Sequence, residues 1–297
     1  AYLLGQQTDV AELVVRLTQT KSLTDIGLMV LVVAASDATQ ARIINYLSTQ
    51  TSSEAIRAMA YSGQLKFVPL LLELAQQQGF ARCDDAFCHD MLERQLARHN
   101  WQSWHQVLQR WLQQMLTAPL LGAECALNQL AQVRAELEFW LQTEQVSVLL
   151  LDKLICQAVL PGMPRPPLLP DTLNGMLKGF IDLTLQGHDG RYWVLDYKSN
   201  WLGPDDSAYS TEAMQQALLD KRYDVQAVLY MLALHRLLKL RQPDYLHAPE
   251  RYLGGALYWF IRAPEQGQLM LPAPFTLLTQ LDALFAGKAL PEVANAN

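Results

Sequence analysis

The N-terminal half of the chain repeats its apolar residues at helical spacing. Leu70 to Gln78 reads as a helix that Gly79 ends, and Asp84 or Asp85 is placed to cap a second helix. A third helix is the clearest, because its apolar residues recur at i, i+3, i+4, i+7 and i+8 and the pattern stops before Pro119. Those apolar positions are Trp104, Val107, Leu108, Trp111, Leu112, Met115 and Leu116. We expect this face to pack into the protein core.

The segment that follows changes to the two-residue period of β-strands. Within Ala135 to Leu141, Glu136 and Glu138 fall on one face, and Leu137 and Phe139 fall on the other. This alternation predicts a strand with one polar and one apolar face.

The remainder of the chain mixes strands and helices. Five prolines between Pro161 and Pro170 predict an extended loop. Gly179 to Leu185 and Arg191 to Tyr197 are apolar runs joined by a Gly- and Asp-rich turn, which predicts a β-hairpin. A long helix is expected over Thr211 to Leu240, and a further strand over Gly255 to Arg262. The order predicts an α/β fold with a mixed central β-sheet flanked by helices and a helical N-terminal part.

The first 65 residues differ from the rest of the chain. Their apolar stretches fit helix or strand equally well, and no motif with recognisable chemistry occurs in them. We therefore divide the chain into an unassigned N-terminal segment, residues 1–65, and a second unit, residues 66–297.

The amino-acid composition and charge exclude several classes of protein. The 297 residues are 51% hydrophobic and 18% charged, which is typical of a folded globular protein. The longest apolar run, Ile26 to Ala35, is about half of the ~20 residues that a membrane-spanning helix needs, and without a signal-peptide pattern we expect a cytoplasmic protein. The four cysteines have neither disulfide-framework nor zinc-ribbon spacing. A net charge of −6 excludes a binder that relies on bulk positive charge.

Two aspartates and a lysine on the predicted hairpin carry the candidate chemistry. Pairing across the short turn brings Asp182 beside Asp196, and alternation puts Lys198 on the same face as Asp196. Two adjacent carboxylates repel each other unless a cation lies between them, and oxygen ligands suit Mg²⁺. Lys198 would then lie beside the ion, where it could orient the attacking water or stabilise phosphate charge. A surface Asp–Lys pair at a strand end remains an alternative reading.

Glu136 is a possible third carboxylate, although Glu138 on the same face competes with it. Asp182 favours the metal-site interpretation, because an unpaired carboxylate inside an apolar strand is costly.

The hairpin region resembles a known nuclease family. The stretch Gly175 to Gly203 (GMLKGFIDLTLQGHDGRYWVLDYKSNWLG) is similar to the C-terminal nuclease domain of the RecB family, the exodeoxyribonuclease V beta subunits, within the PD-(D/E)XK nuclease superfamily. The resemblance extends to Arg222 to Arg236 (RYDVQAVLYMLALHR) and Gly254 to Arg262 (GGALYWFIR). Upstream it includes Trp104 to Leu120 and Glu136 to Phe139 (ELEF). The resemblance implies a restriction-endonuclease-like nuclease core.

The resemblance also assigns roles to individual residues. By position, Asp182 and Asp196 resemble the family's metal-binding aspartates, and Lys198 its catalytic lysine. The residues that resemble supporting or DNA-binding positions are Glu136, Gln226, Tyr230 and Tyr197. Gln226 and Tyr230 are spaced i, i+4 and therefore share a helix face, although a partly buried amide beside a core tyrosine is the alternative reading of that pair.

One position departs from the family pattern. The family usually carries Gly-x-x-x-His-x-x-x-Glu on a helix at the start of the nuclease domain, with the histidine as a metal ligand. The counterpart here is Leu65 to Glu73 (LKFVPLLLE), in which Glu73 fits but Pro69 stands at the histidine position. Proline cannot ligate a metal. The expectation is reduced metal affinity and weak or absent activity, and the alternative function is a catalytically impaired docking module for partner subunits or a recombinase.

The resemblance implies a Mg²⁺-dependent exodeoxyribonuclease that works in double-strand-break repair and recombination. Its expected substrate is single-stranded DNA delivered by a helicase, and its expected partners are RecC-like and RecD-like subunits, with a RecA-type recombinase as a further candidate. The motif G-x-x-x-x-G-K-S/T does not occur in the sequence, so we expect no ATP site in this chain. The unmatched first 65 residues leave open a third reading, a truncated or misframed chain without an independent role.

Overall fold

We analysed a computed structural model of the protein. The structure describes residues 67–98, 102–130, 132–203 and 205–290. The unassigned N-terminal segment, Leu65 and His99 lie outside the described residues. None of the helices in the described residues is both long and apolar enough to cross a membrane.

Within the described residues, three helices precede the sheet, as the apolar spacing predicts. They are α1 (Phe67–Gln78), α2 (Asp85–Ala97) and α3 (His105–Thr117). Gly79 follows α1 with a φ of 91°, a conformation that favours glycine. The Asp84 carboxylate accepts a hydrogen bond from the Phe87 amide and caps α2. The predicted apolar face of α3 is buried, which confirms its assignment to the core.

A five-stranded mixed sheet forms the centre of the protein. Its strands, in sheet order, are β1 (Val133–Ser147), β2 (Thr172–Gln186), β3 (Tyr192–Lys198), β4 (Leu253–Phe260) and β5 (Gln268–Pro272). Neighbouring strands are antiparallel except β3 and β4, which are parallel. The predicted hairpin is therefore confirmed as β2–β3. The sequence did not predict β5.

Four helices cover the face of the sheet that lies opposite α1, α2 and α3. They are α4 (Val148–Ala158), α5 (Thr211–Asp220), α6 (Tyr223–Arg241) and α7 (Phe275–Phe285). The single long helix expected over Thr211 to Leu240 was wrong, because the chain breaks between α5 and α6. Arg222 adopts a φ of 55° there, and its guanidinium forms ion pairs with Asp152 and Asp224. Those ion pairs hold a left-handed conformation that arginine otherwise avoids.

Two apolar clusters lie on opposite faces of the sheet. The first joins α1, α2 and α3 to Leu183, Leu195 and Trp259, and the second joins α4 to α7 to Ile181, Val194 and Phe260. The structure thus has three layers, helices–sheet–helices, and confirms the α/β prediction.

The β1–β2 ribbon exchanges its two faces at one point. Ala135 and Leu183 pack against the first cluster, whereas Leu137 and Ile181 pack against the second. Residues two apart in a regular strand share a face, so both strands reverse between these positions. Glu136, with a φ of 44°, lies at the reversal on β1. The reversal therefore coincides with two candidate acidic residues, Glu136 on β1 and Asp182 on β2.

Candidate functional site

The site lies where β2 and β3 run side by side at the centre of the sheet. Leu183 pairs with Leu195, so one further step along both strands brings Asp182 opposite Asp196. Asp196 is buried, and Asp182 is partly buried. The Tyr197 amide donates to the Asp182 carboxylate at 3.4 Å. The structure therefore brings together the two aspartates that the sequence singled out.

Lys198 lies on the same face of β3 as Asp196 and is also buried. Its ammonium forms an ion pair with the Asp196 carboxylate and donates to Gln226 Oε1 at 2.9 Å. A buried lysine with a carboxylate and an amide as partners is not a surface pair at a strand end. This geometry favours the interpretation of Asp196 and Lys198 as parts of one polar centre.

The two aspartates hold their protons more strongly than ordinary carboxylates. Burial, and next the charge of Asp182, raise the pKa of Asp196 to about 6, although Lys198 opposes both effects. Burial also raises the pKa of Asp182, and the charge of Glu136 adds to that effect. Burial, the largest cause of both shifts, therefore makes the pair costly to ionise, and the nearby Lys198 offsets only part of that cost.

Gln226 and Tyr230 meet the same centre from α6. Gln226 accepts from Lys198 and donates through Nε2 to the Tyr230 hydroxyl at 2.9 Å. Burial raises the pKa of Tyr230 to about 12, so its hydroxyl stays protonated at neutral pH. Tyr230 also packs edge-to-face on Phe139, with ring centroids 5.7 Å apart. Hydrogen bonds therefore connect Gln226 and Tyr230 to Lys198, so the two residues are not an isolated core contact.

Glu136 and Asp182 face a small cavity between the sheet and α1. The cavity has a volume of 190 Å³, and its polar lining comes from Glu73, Gln76, Glu136, Asp182 and Ser199. Glu136 lies opposite Asp182, between the paired Ala135–Leu183 and Leu137–Ile181.

The competing carboxylate, Glu138, lies away from the cavity. It forms an ion pair with Lys178 at 3.1 Å and accepts from the Trp140 indole at 2.6 Å. Glu136 is therefore the better third carboxylate.

Pro69 and Tyr197 complete the wall of this cavity. Pro69 lies on α1 one turn before Glu73, so the position of the family's histidine does face the candidate site. The Tyr197 ring packs near Trp259, with centroids 6.4 Å apart, and its buried hydroxyl has no hydrogen-bond partner among the described residues. Burial raises the pKa of Tyr197. Tyr197 thus stands on the opposite side of β3 from Lys198, as alternation predicts.

The sequence reasoning missed two tyrosines that surround Lys198. The lysine Nζ lies 3.7 Å from the Tyr223 ring centroid and 5.2 Å from that of Tyr258. The Tyr258 hydroxyl donates to the Tyr223 carbonyl at 2.7 Å, and the rings stack. Tyr223 lies three residues before Gln226, on the same helix face, and that spacing was the available signal. Tyr258 pairs with Asp196 across β3–β4, and predicting this contact would have required the parallel register of the two strands.

The donor atoms of the site fit a divalent cation held by oxygen. Within the described residues, no group of three His, Cys, Asp or Glu side chains is arranged to enclose a metal ion. Asp182 and Asp196 nevertheless form a buried acidic pair with raised pKa values, which a cation would relieve. Mg²⁺ is often held by one or two carboxylates and keeps several waters. The residues present therefore suit a two-carboxylate site better than a closed cage.

Curated relatives are similar to part of this chain. The RecBCD enzyme subunit RecB of Escherichia coli K12 is 43% identical over 197 residues, which cover 64% of this chain and 16% of the relative. The subunit of the same name from Haemophilus influenzae is 38% identical over 127 residues, covering 41% of this chain and 10% of the relative. That from Mycobacterium tuberculosis H37Rv is 48% identical over 90 residues, covering 30% and 8%.

These alignments span less than a fifth of the length of the relatives. A family model extends further along this chain. The model of the PD-(D/E)XK nuclease superfamily matches residues 70–288, which include most of α1, the whole sheet, α7 and every residue of the polar centre. With a mixed sheet that carries Asp182, Asp196 and Lys198 on adjacent strands, this chain belongs to the PD-(D/E)XK nuclease superfamily.

Proposed function

We propose that this chain is a divalent-metal-dependent DNA nuclease domain that hydrolyses phosphodiester bonds. The observation that carries the proposal is the centre in which Asp182 lies opposite Asp196 and Lys198 forms an ion pair with Asp196, with burial raising the pKa of both aspartates. A bound Mg²⁺ would supply Lewis-acid activation of water and neutralise phosphate charge. The membership of the chain in a nuclease superfamily supports the same reaction class.

Each residue has a distinct role in this proposal. Asp182 and Asp196 hold the ion through carboxylate oxygens, and Glu136 adds a third carboxylate at the cavity. Lys198 orients the attacking water and stabilises the charge that develops on the phosphate. Gln226 fixes the lysine ammonium, and Tyr230 fixes the amide of Gln226. Tyr197 is assigned a supporting role through its amide, which contacts Asp182.

The relatives' printed name, RecBCD enzyme subunit RecB, indicates the biological setting that we propose. We infer that this chain acts as the nuclease domain of a RecBCD-type helicase–nuclease, as an exodeoxyribonuclease on single-stranded DNA. Its partners would be RecC-like and RecD-like subunits, and its process double-strand-break repair and recombination.

One observation favours a second candidate function. Pro69 faces the cavity one turn before Glu73 and offers no atom that binds a metal. If the site requires a nitrogen ligand at that position, the chain is a catalytically impaired docking module for partner subunits or a RecA-type recombinase.

The test is cleavage of linear single-stranded DNA by the purified chain with Mg²⁺, and separately with Mn²⁺. We expect cleavage by the parent and loss of at least ~100-fold in Asp196→Asn and in Lys198→Met, since each removes charge from the centre. The matched controls are the exposed Asp244→Asn and Lys221→Met, which should cleave like the parent.

The outcomes separate the two candidates. Cleavage that only the site variants lose supports the nuclease and shows that a ligand at position 69 is dispensable. A folded parent that cuts with neither ion, together with activity gained in Pro69→His, favours the docking module.

A further inference from the structure

Exposed aromatic side chains concentrate around the candidate site. Among the side chains that the structure describes, the exposed Trp, Phe and Tyr residues are Trp140, Phe180 and Trp201. Trp140 lies four residues from Glu136, Phe180 two residues from Asp182, and Trp201 three residues from Lys198. About half of each of these side chains is exposed, and exposed apolar side chains that form a contiguous patch often mark an interaction site.

Two of these rings form one patch on the β1–β2 ribbon. Trp140 pairs with Lys178 across the strands, and Phe180 is the next residue of β2 on the same face. The Lys178 ammonium lies 4.9 Å from the Trp140 ring centroid and 5.0 Å from that of Phe180. We call Trp140, Lys178 and Phe180 the aromatic patch. It combines two flat apolar surfaces with one positive charge between them.

The aromatic patch and the cavity lie on the same side of the sheet. Ile181 packs into the second cluster, so Phe180 beside it points to the opposite side, the side of α1 to α3. The cavity lined by Glu136 and Asp182 lies against α1, on that same side. Phe180 is only two residues, or about 7 Å along the strand, from Asp182. A polymer that reaches the cavity along β2 therefore passes over the patch.

We propose that the aromatic patch binds the bases of single-stranded DNA by stacking and leads the strand to the candidate nuclease site. This inference rests on the proposed function. Bases of a single strand present flat π-faces that aromatic side chains bind without sequence preference. In a duplex those faces are already stacked, so the patch favours single strands.

The net charge of the chain favours single-stranded DNA over a duplex as the ligand of the aromatic patch. The chain carries a net charge of −6 and offers no bulk attraction for phosphates, whereas base stacking does not depend on net charge. Lys178 adds a local cation for one phosphate. Its ion pair with Glu138 is exposed, with 42% of each side chain accessible, and such a pair contributes little and exchanges readily.

The hydrogen bond from the Trp140 indole to Glu138 fixes the ring edge, and Lys178 lies over one ring face, while 52% of the side chain remains exposed. The ring is therefore oriented before DNA arrives, which lowers the entropy lost on binding.

The experiment measures binding of the full chain to two fluorescent oligonucleotides of equal length and charge, without divalent ions so that no strand is cut. One is oligo-dT, and the other has abasic sites throughout. We expect the parent to bind oligo-dT more tightly than the abasic strand. Trp140→Ala and Phe180→Ala should each weaken oligo-dT binding by about 5- to 150-fold and leave abasic binding unchanged.

Three variants control the interpretation. Trp140→Tyr keeps a ring and should retain most of the oligo-dT affinity. Leu240→Ala removes a still more exposed apolar side chain on α6, in the other helical layer, and should change nothing. Because Trp140 and Phe180 are about half exposed, their alanine variants should keep the parent's thermal transition.

The outcomes are distinct from those of the cleavage test. Equal affinity of the parent for both strands, or unchanged oligo-dT affinity in both alanine variants, overturns the proposal even if the parent cleaves DNA. In that case the patch faces a protein partner instead. Base-dependent binding that the alanine variants lose supports the stacking role, even in a chain that cleaves nothing.

Discussion

At the scale of single residues, the pKa of Asp196 links the site to pH. Burial and the charge of Asp182 raise that pKa to about 6 in the folded protein. A carboxyl with a raised folded pKa stabilises the fold below its unfolded pKa of about 4, and this contribution is lost as the pH rises through about 6. A divalent cation that binds the ionised pair should restore stability above that pH.

We therefore expect Mg²⁺ to raise the Tm of the parent by about 3–6 °C at ~pH 7.5, at about ten times its Kd. At ~pH 5 the same concentration should act far less, because Asp196 is then mostly protonated. Thermal unfolding with and without MgCl₂ measures both shifts. Asp196→Asn, which cannot ionise, is the control and should show little response at either pH. Equal shifts of the parent at the two pH values would contradict this prediction.

Tyr223 is the second residue whose role can be tested individually. Its ring lies 3.7 Å from the Lys198 ammonium and stabilises the charge by a cation–π contact. Such a contact contributes about 0.5–2 kcal/mol, so Tyr223→Leu should lower kcat by about 2- to 30-fold and shift the alkaline limb of the pH–rate profile. Tyr223→Phe keeps the ring and should match the parent. Identical kinetics for the Leu and Phe variants would remove Tyr223 from the site.

At the scale of secondary-structure elements, buried charges hold the start of α6. Asp224 is fully buried and accepts from Arg165 at 2.8 Å and from Arg222 at 3.1 Å. Asp224→Ala leaves Arg165 without a carboxylate partner and Arg222 with Asp152 alone, and we expect it to lower the free energy of unfolding by about 3–5 kcal/mol. Urea unfolding measures the loss.

The matched control for Asp224→Ala is Asp282→Ala. Asp282 also holds two cations, Arg236 and Lys239, but all three side chains are partly exposed. This variant should cost no more than about 1 kcal/mol. Similar decreases in the free energy of unfolding for the two variants would mean that burial does not determine how much these ion pairs stabilise the fold.

The elements also show what the sequence could and could not predict. Periodicity, the Asp84 cap and the Gly79 stop were local signals, and they predicted α2, α3 and the β2–β3 hairpin. The break at Arg222 and the face reversal at Glu136 were missed, because both use positive φ at residues that usually avoid it. The contacts of Lys198 with Tyr223 and Tyr258 depend on long-range packing, which no local pattern encodes. The sequence did predict the grouping of Asp182, Asp196 and Lys198, because strand alternation and pairing across the hairpin fix their relative positions.

At the scale of the whole molecule, the division at residue 66 is still a prediction. The described members of both apolar clusters begin at Leu71, and a chain of residues 66–297 keeps all of these described members. We expect that shortened chain to unfold cooperatively near the parent's Tm and to cleave DNA like the parent. Limited proteolysis of the full chain should yield a stable product that starts near Phe67. A shortened chain that fails to fold would place residues before 66 in the same structural unit.

The acidic character of the whole chain predicts how salt affects DNA binding. For a single strand, log K falls with log salt by about 0.7 for each phosphate that a cation neutralises. Lys178 supplies the positive charge of the aromatic patch, so we expect a slope of about −1 or shallower for oligo-dT, measured without divalent ions. Lys178→Gln should move that slope towards zero while base-dependent binding persists, because the rings remain. Lys221→Gln, at an exposed position between α5 and α6, is the matched control and should leave the slope unchanged. A slope of about −3 or steeper in the parent would mean that phosphate contacts, rather than stacking, dominate, and that the net charge of −6 conceals a larger basic surface.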